Sequence, residues 1–158
     1  MAKTVKTNAM RLFDAAKAEY KVHTYGSGEA MSGTEVAAEL GEPAEKVFKT
    51  LVTEGASRNH YVFVVPVEKE LDLKKAAKAV GEKSIAMIKS KELLPLTGYI
   101  HGGCSPVGMK KFFATTVDHS AKDKDSIFFS AGKIGFQIET APSTLEKMIP
   151  LQYADITV

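Results

Sequence analysis

Two β-prone runs joined by one polar turn constrain this chain most. Residues 47–53 (VFKTLVT) and 61–65 (YVFVV) flank the turn-forming stretch 54–59 (EGASRN), the pattern of an antiparallel hairpin. Further β-rich runs lie at 84–88, 112–117, 127–130, 136–138 and 153–158. Helical patterns are scattered among them. Residues 7–20 place Leu12, Phe13, Ala16 and Tyr20 on one face. Ser32 and Glu35 stand at capping-box spacing before Val36, Ala37 and Leu40, and Gly41 follows as a stop. Pro43 opens one further turn, and Asp72 caps a helix that ends at Gly81. Residues 90–94 form a short helix halted by Pro95, and 144–149 a closing one. Strand often follows strand, so the order predicts a mixed α/β fold, a curled mixed sheet with helices around it, rather than a doubly wound one.

The chain has 158 residues, 44% apolar and 25% charged, which fits one globular domain over 1–158 with a substantial core. A lone cysteine excludes an internal disulfide and an all-cysteine metal site, and fits a cytoplasmic chain. No apolar segment follows Met1, and no run approaches the roughly 20 apolar residues of a membrane span, so neither secretion nor membrane insertion is expected. Neither GxGxxG nor a P-loop occurs, which excludes nucleotide binding through those motifs. The net charge is only +2, and arginine appears only at Arg11 and Arg58. A nucleic-acid partner would be met through backbone and terminus, since lysine gives diffuse attraction and arginine the bidentate reading of bases.

Three features suggest a site. Gly102-Gly103-Cys104-Ser105-Pro106-Val107-Gly108 and Ser130-Ala131-Gly132-Lys133-Ile134-Gly135 are permissive loops able to offer backbone N–H groups to an anion or carbonyl oxygen. Lys49 sits in an apolar strand, on the face of Val47 and Leu51. An ammonium there snorkels, pairs with an anion or loses its proton; a solvent-facing position is the alternative. Ser130, at a strand end, suits a nucleophile or a hydrogen-bonding clamp, but His23, His60, His101 and His119 show no spacing that makes a triad. Cys104 reads as a small buried thiol, and Ser105 before Pro106 as a loop-fixing residue. No metal-ligand spacing occurs. Such an inventory, without a protein nucleophile or a cofactor, suits a site whose backbone donors stabilise an oxyanion while substrate or water attacks.

The segments Phe48-Lys49-Thr50-Leu51, Leu71-Asp72-Leu73-Lys74-Lys75, Thr97-Gly98-Tyr99, Gly102 to Lys111 (GGCSPVGMKK) and Ser130 to Gly135 (SAGKIG) resemble the YbaK/EbsC proteins. These are stand-alone relatives of the editing domain of bacterial prolyl-tRNA synthetases. The resemblance runs from about His23 to Ile156 and implies a curved, partly barrel-like mixed sheet. It also implies trans-editing: removal of cysteine from Cys-tRNA(Pro), in some members also from Cys-tRNA(Cys), with mischarged tRNA and prolyl-tRNA synthetase as partners. The implied chemistry is attack by the cargo's own thiol on the ester, giving a thiolactone and a free ribose. By resemblance Lys49 holds the 3′ aminoacyl-adenosine end, Thr50 supports it, Gly102 and Gly103 contact the aminoacyl carbonyl, Ser130 lies against the reacting group and Tyr25 lines the pocket. Two positions depart from the pattern: Ser32 replaces a frequent aromatic residue, and Gln137 a frequent acidic one. A deacylase for alanine, or a non-catalytic module that docks on tRNA or a synthetase, is the competing reading.

Overall fold

A computed structural model describes residues 6–26 and 31–158. Helix α1 spans Asn8–Ala15, opened by Thr7, whose hydroxyl accepts from the Met10 N–H. It is shorter than residues 7–20 suggest because the chain turns left-handed at Lys17 (φ 55°). Its buried face is Ala9, Met10 and Phe13, while Leu12 stays exposed. Tyr20 reaches the same place from the following segment, its ring tilted 44° against that of Phe13 with centroids 5.1 Å apart.

Strand β1 is Lys21–Thr24. Helix α2, Gly33–Leu40, carries the expected capping box of Ser32 and Glu35 and ends on left-handed Gly41. After a 3₁₀ turn at Ala44–Lys46 come β2 (Phe48–Gly55) and β3 (His60–Pro66), the predicted hairpin. Helix α3, Leu73–Val80, starts where the Asp72 carboxylate accepts the Lys74 and Lys75 N–H groups. Strand β4 is Ile85–Met87. Helix α4, Ser90–Thr97, runs through Pro95 instead of halting before it. In so short a helix the proline removes one backbone bond, the Thr97 hydroxyl donates to the Leu93 carbonyl (2.8 Å), and termination falls to Gly98 (φ 85°). Then follow β5 (Ala114–Asp118), β6 (Ile127–Ser130), β7 (Phe136–Thr140), α5 (Pro142–Met148) and β8 (Gln152–Ala154).

The strands divide into a five-stranded sheet, β4-β2-β3-β5-β8, and a three-stranded antiparallel one, β1-β7-β6. In the larger sheet β2 is antiparallel to β3 and β4, while β3–β5 and β5–β8 are parallel. The sheet is therefore mixed, as its irregular alternation with helices foretold. A parallel bridge between Val47 and Phe128 brings the start of β2 beside β6 and joins the two sheets into one curved assembly.

Burial explains why β3 is apolar from Val62 to Val65. Val62 and Val64 face the main core with Met10, Phe13, Phe48, Phe129 and Ile138, whereas Phe63 and Val65 pack with Ala76 and Ala77 of α3 and Ile85 of β4. A strand covered on both faces needs no polar alternation. A third cluster of Ala37, Val47 and Phe128 seats α2 over the junction of the sheets. No described helix is long and apolar enough to cross a membrane.

Candidate active site

At that junction lies a cavity of about 320 Å³. Strand β2 supplies Lys49 and Thr50, the end of β6 supplies Ser130, and β7 supplies Gln137. Tyr25 follows β1, Ser32 and Gly33 open α2, and His101 and Gly102 come from the first glycine loop. Phe48, Val52, Val36 and Leu93 give it an apolar wall. Such a mixture of apolar wall and few polar groups suits a small ligand.

Seven of the eight residues expected at the site, all but Gly103, line this cavity. Lys49 lines the cavity and is half-buried rather than fully exposed. The two adjacent glycines part company. Gly102 borders the cavity, and its N–H has no acceptor among the described residues. Gly103 is buried, and its N–H donates to the Ile100 carbonyl at 2.9 Å, so it cannot also meet a substrate carbonyl. Its lack of a side chain serves packing: a Cβ there would fall 3.1 Å from the Ile134 nitrogen and 3.3 Å from the Lys133 carbonyl carbon. The first glycine loop therefore lies directly on the second.

Ser130 is 8% exposed, and its hydroxyl accepts the Gly132 N–H at 3.2 Å. No imidazole hydrogen-bonds to it among the described residues, so it lacks the base a serine nucleophile requires. Gln137 faces it directly across the β6–β7 pair. The Ser32 hydroxyl accepts the Glu35 N–H and is thus spent on the helix cap, although the residue borders the cavity. Two buried oxygens, Thr50 Oγ1 and Gln137 Oε1, have no hydrogen-bond partner among the described residues, and both residues line the cavity.

Cys104 also borders the cavity, yet its thiol is no nucleophile. Burial pushes its pKa up to about 12, against a smaller opposing effect of the Thr97 hydroxyl. The thiolate, the reactive form, is absent near neutrality. Ser105 is fully buried and accepts the Val107 N–H, fixing the loop as expected.

The cavity also has liners that pattern reading passed over: His101, which showed no informative spacing, and Met87 at the end of β4, Lys89 in the connection to α4 and Ser90 at the start of α4. Only the tertiary fold brings that connection to the glycine loops. Outside the cavity, Asp118, His119 and Asp155 lie close enough together to suggest an ion site. Both carboxylates are already engaged, Asp118 by Ser120 and the Ile156 N–H and Asp155 by Lys75.

Residues 27–148 match the family profile of the aminoacyl-tRNA editing domain, and the chain belongs to that family. It is 46% identical over 153 residues to EbsC of Enterococcus faecalis, a candidate Cys-tRNA(Pro)/Cys-tRNA(Cys) deacylase; the match covers 96% of this chain and 93% of that protein. Among solved structures, hypothetical protein APE2540 superposes with a TM-score of 0.87 at 21% identity, over 96% of this chain and 100% of the other. A candidate trans-editing enzyme for prolyl-tRNA synthetase gives 0.84 at 24% identity, over 98% and 99%. At such identities the two structures speak for the fold alone.

Proposed function

We propose that this chain is a trans-editing deacylase that removes cysteine from mischarged Cys-tRNA(Pro), and from Cys-tRNA(Cys) as well. The observation that carries the reading is that Lys49, Gly102 and Ser130 share one cavity in which neither Ser130 nor Cys104 is equipped to attack. A site that holds an ester without a nucleophile of its own suits a cargo that supplies one.

Lys49 holds the terminal adenosine through its phosphate or hydroxyls, with Thr50 beside it. The Gly102 N–H points to the ester carbonyl, where negative charge develops. Ser130 and Tyr25 confine the aminoacyl group. The cargo's sulfur then bonds to the carbonyl carbon, the ester C–O bond breaks, and the thiol proton ends on the ribose oxygen. Products are a cyclic thiolactone and tRNA with a free terminal hydroxyl. Holding thiol and ester in one bound molecule removes most of the entropic barrier to their meeting. Gly103 sets the spacing of the two glycine loops. The whole of 1–158 acts as one editing unit, in the cytoplasm where tRNA is charged, with prolyl-tRNA synthetase as the partner that generates the substrate.

The test is to offer purified protein Cys-tRNA(Pro) and Ala-tRNA(Pro) and follow loss of the labelled amino acid. Cysteine release well above the spontaneous rate, with alanine retained, is expected. Cysteine release at the spontaneous rate would refute the proposal.

A further inference from the structure

The two unpartnered oxygens, Thr50 Oγ1 and Gln137 Oε1, come from different sheets and meet at one cavity. Gln137 is only 5% exposed. A buried carbonyl left without a donor is destabilising, and proteins rarely keep one unless something else completes it. What completes this pair must bring hydrogen: an amide carbonyl only accepts, and a hydroxyl can accept. Resting on the deacylase reading, the bound group is an aminoacyl ester. Its carbonyl and ester oxygens are acceptors, its thiol is a weak donor, and its one strong donor beside the ester is the α-amino group.

We propose that the Gln137 carbonyl, helped by the Thr50 hydroxyl, holds the α-amino group of the cargo as a hydrogen-bond acceptor and not as a counter-ion. Gln137 is neutral, and the described residues lining the cavity include Lys49 and Lys89 but no carboxylate. The closest acid along β7 is Glu139, two residues on, and its carboxylate is taken by His23 (2.9 Å) and Ser126 (2.7 Å). A neutral amine satisfies such a cradle, and so does a hydroxyl in the same place. Gln137 is then a positioning residue: by fixing the α-substituent it turns the Cβ thiol toward the ester carbon.

The experiment compares two esters on the same tRNA(Pro): cysteinyl, and 2-hydroxy-3-sulfanylpropanoyl, in which hydroxyl replaces the amine. Wild type is expected to treat them alike, with KM values within about threefold, since either donor meets the carbonyl. Gln137→Glu should shift the preference to the amino ester by about tenfold or more, because a carboxylate favours an ammonium. Thr50→Val, which keeps the side-chain shape, should raise KM for both esters about fivefold, with kcat changed much less. Wild-type discrimination against the hydroxy ester beyond about tenfold, or an unchanged ratio in Gln137→Glu, would overturn the assignment while leaving the deacylase reading in place. Should Gln137→Glu not fold, Thr50→Val decides, and an unaltered KM counts against the cradle. Failure of the wild type to release either acyl group would overturn the deacylase reading and this assignment with it.

Discussion

The ring of Tyr99 occupies the space a side chain at Gly132 would need: a Cβ built there lies 2.7 Å from Tyr99 Cε1. Gly132 also has φ +100°, a conformation other residues rarely adopt. Gly132→Ala therefore meets both strain and a clash, and should lower stability by about 1–3 kcal/mol. Because Ser130 bonds to the Gly132 N–H, activity should fall too. Gly41→Ala is the contrast, left-handed but with open space around it. It should cost about 1 kcal/mol and leave deacylation intact, as thermal melts and initial rates would report.

Tyr99 itself ties the first loop down, its hydroxyl donating to the Val107 carbonyl at 2.6 Å. Tyr99→Phe leaves that buried carbonyl without its donor. The expected loss is about 1–2 kcal/mol, a fall of about 4 °C in Tm for a chain of this size. A melt indistinguishable from wild type would mean that the loop is held by other contacts.

Much of this architecture was legible in the sequence, and what was missed has physical causes. The hairpin, the capping box at Ser32 and the helix stops at Gly41 and Gly81 rest on local rules, and local rules sufficed. Pro95 misled because tertiary contacts and the Thr97 hydroxyl sustain a helix that propensity alone would end. Lys49 was recognisable as a cation out of place among apolar neighbours. Gly102 and Gly103 looked alike in sequence, yet only their hydrogen bonds and packing separate the one that faces the cavity from the one that seats a loop. His101 and Lys89 carried no pattern at all, because their place depends on how α4 and the glycine loop pack against β2.

Lys49→Ala should reduce kcat/KM by about 100-fold or more, since it removes the one cation that β2 places at the cavity. The side chain is only half-buried, so circular dichroism and Tm should stay near wild type. Full activity in this variant would remove Lys49 from the site.

Cys104→Ala should keep most of the activity at a stability cost of about 1 kcal/mol. The buried thiol, with its pKa near 12, should also resist alkylation by iodoacetamide at pH 7 in the folded protein. Rapid alkylation that stops turnover would reinstate a protein nucleophile.

Glu139 should make stability sensitive to acid. Burial works against its charge, but hydrogen bonds from Ser126 and His23, together with the charges of His23 and Lys21, hold its pKa below the usual 4.5. A lowered folded pKa means that its contribution is fully present above the unfolded value and is lost as pH falls through the folded one. The Tm gap between wild type and Glu139→Gln should therefore be widest at neutral pH and shrink below about pH 4. A gap that stays constant on acidification would contradict this role.

Self-cleavage by the cargo is tested most directly by masking its sulfur. Cys-tRNA(Pro) and S-methylcysteinyl-tRNA(Pro) present nearly the same shape to the cavity, but only the first can form a thiolactone. The prediction is rapid release of cysteine and persistence of the S-methyl ester at its spontaneous rate, under single-turnover conditions with enzyme in excess. Equal release of both would show that water or a protein group attacks the ester, contradicting attack by the cargo's own thiol.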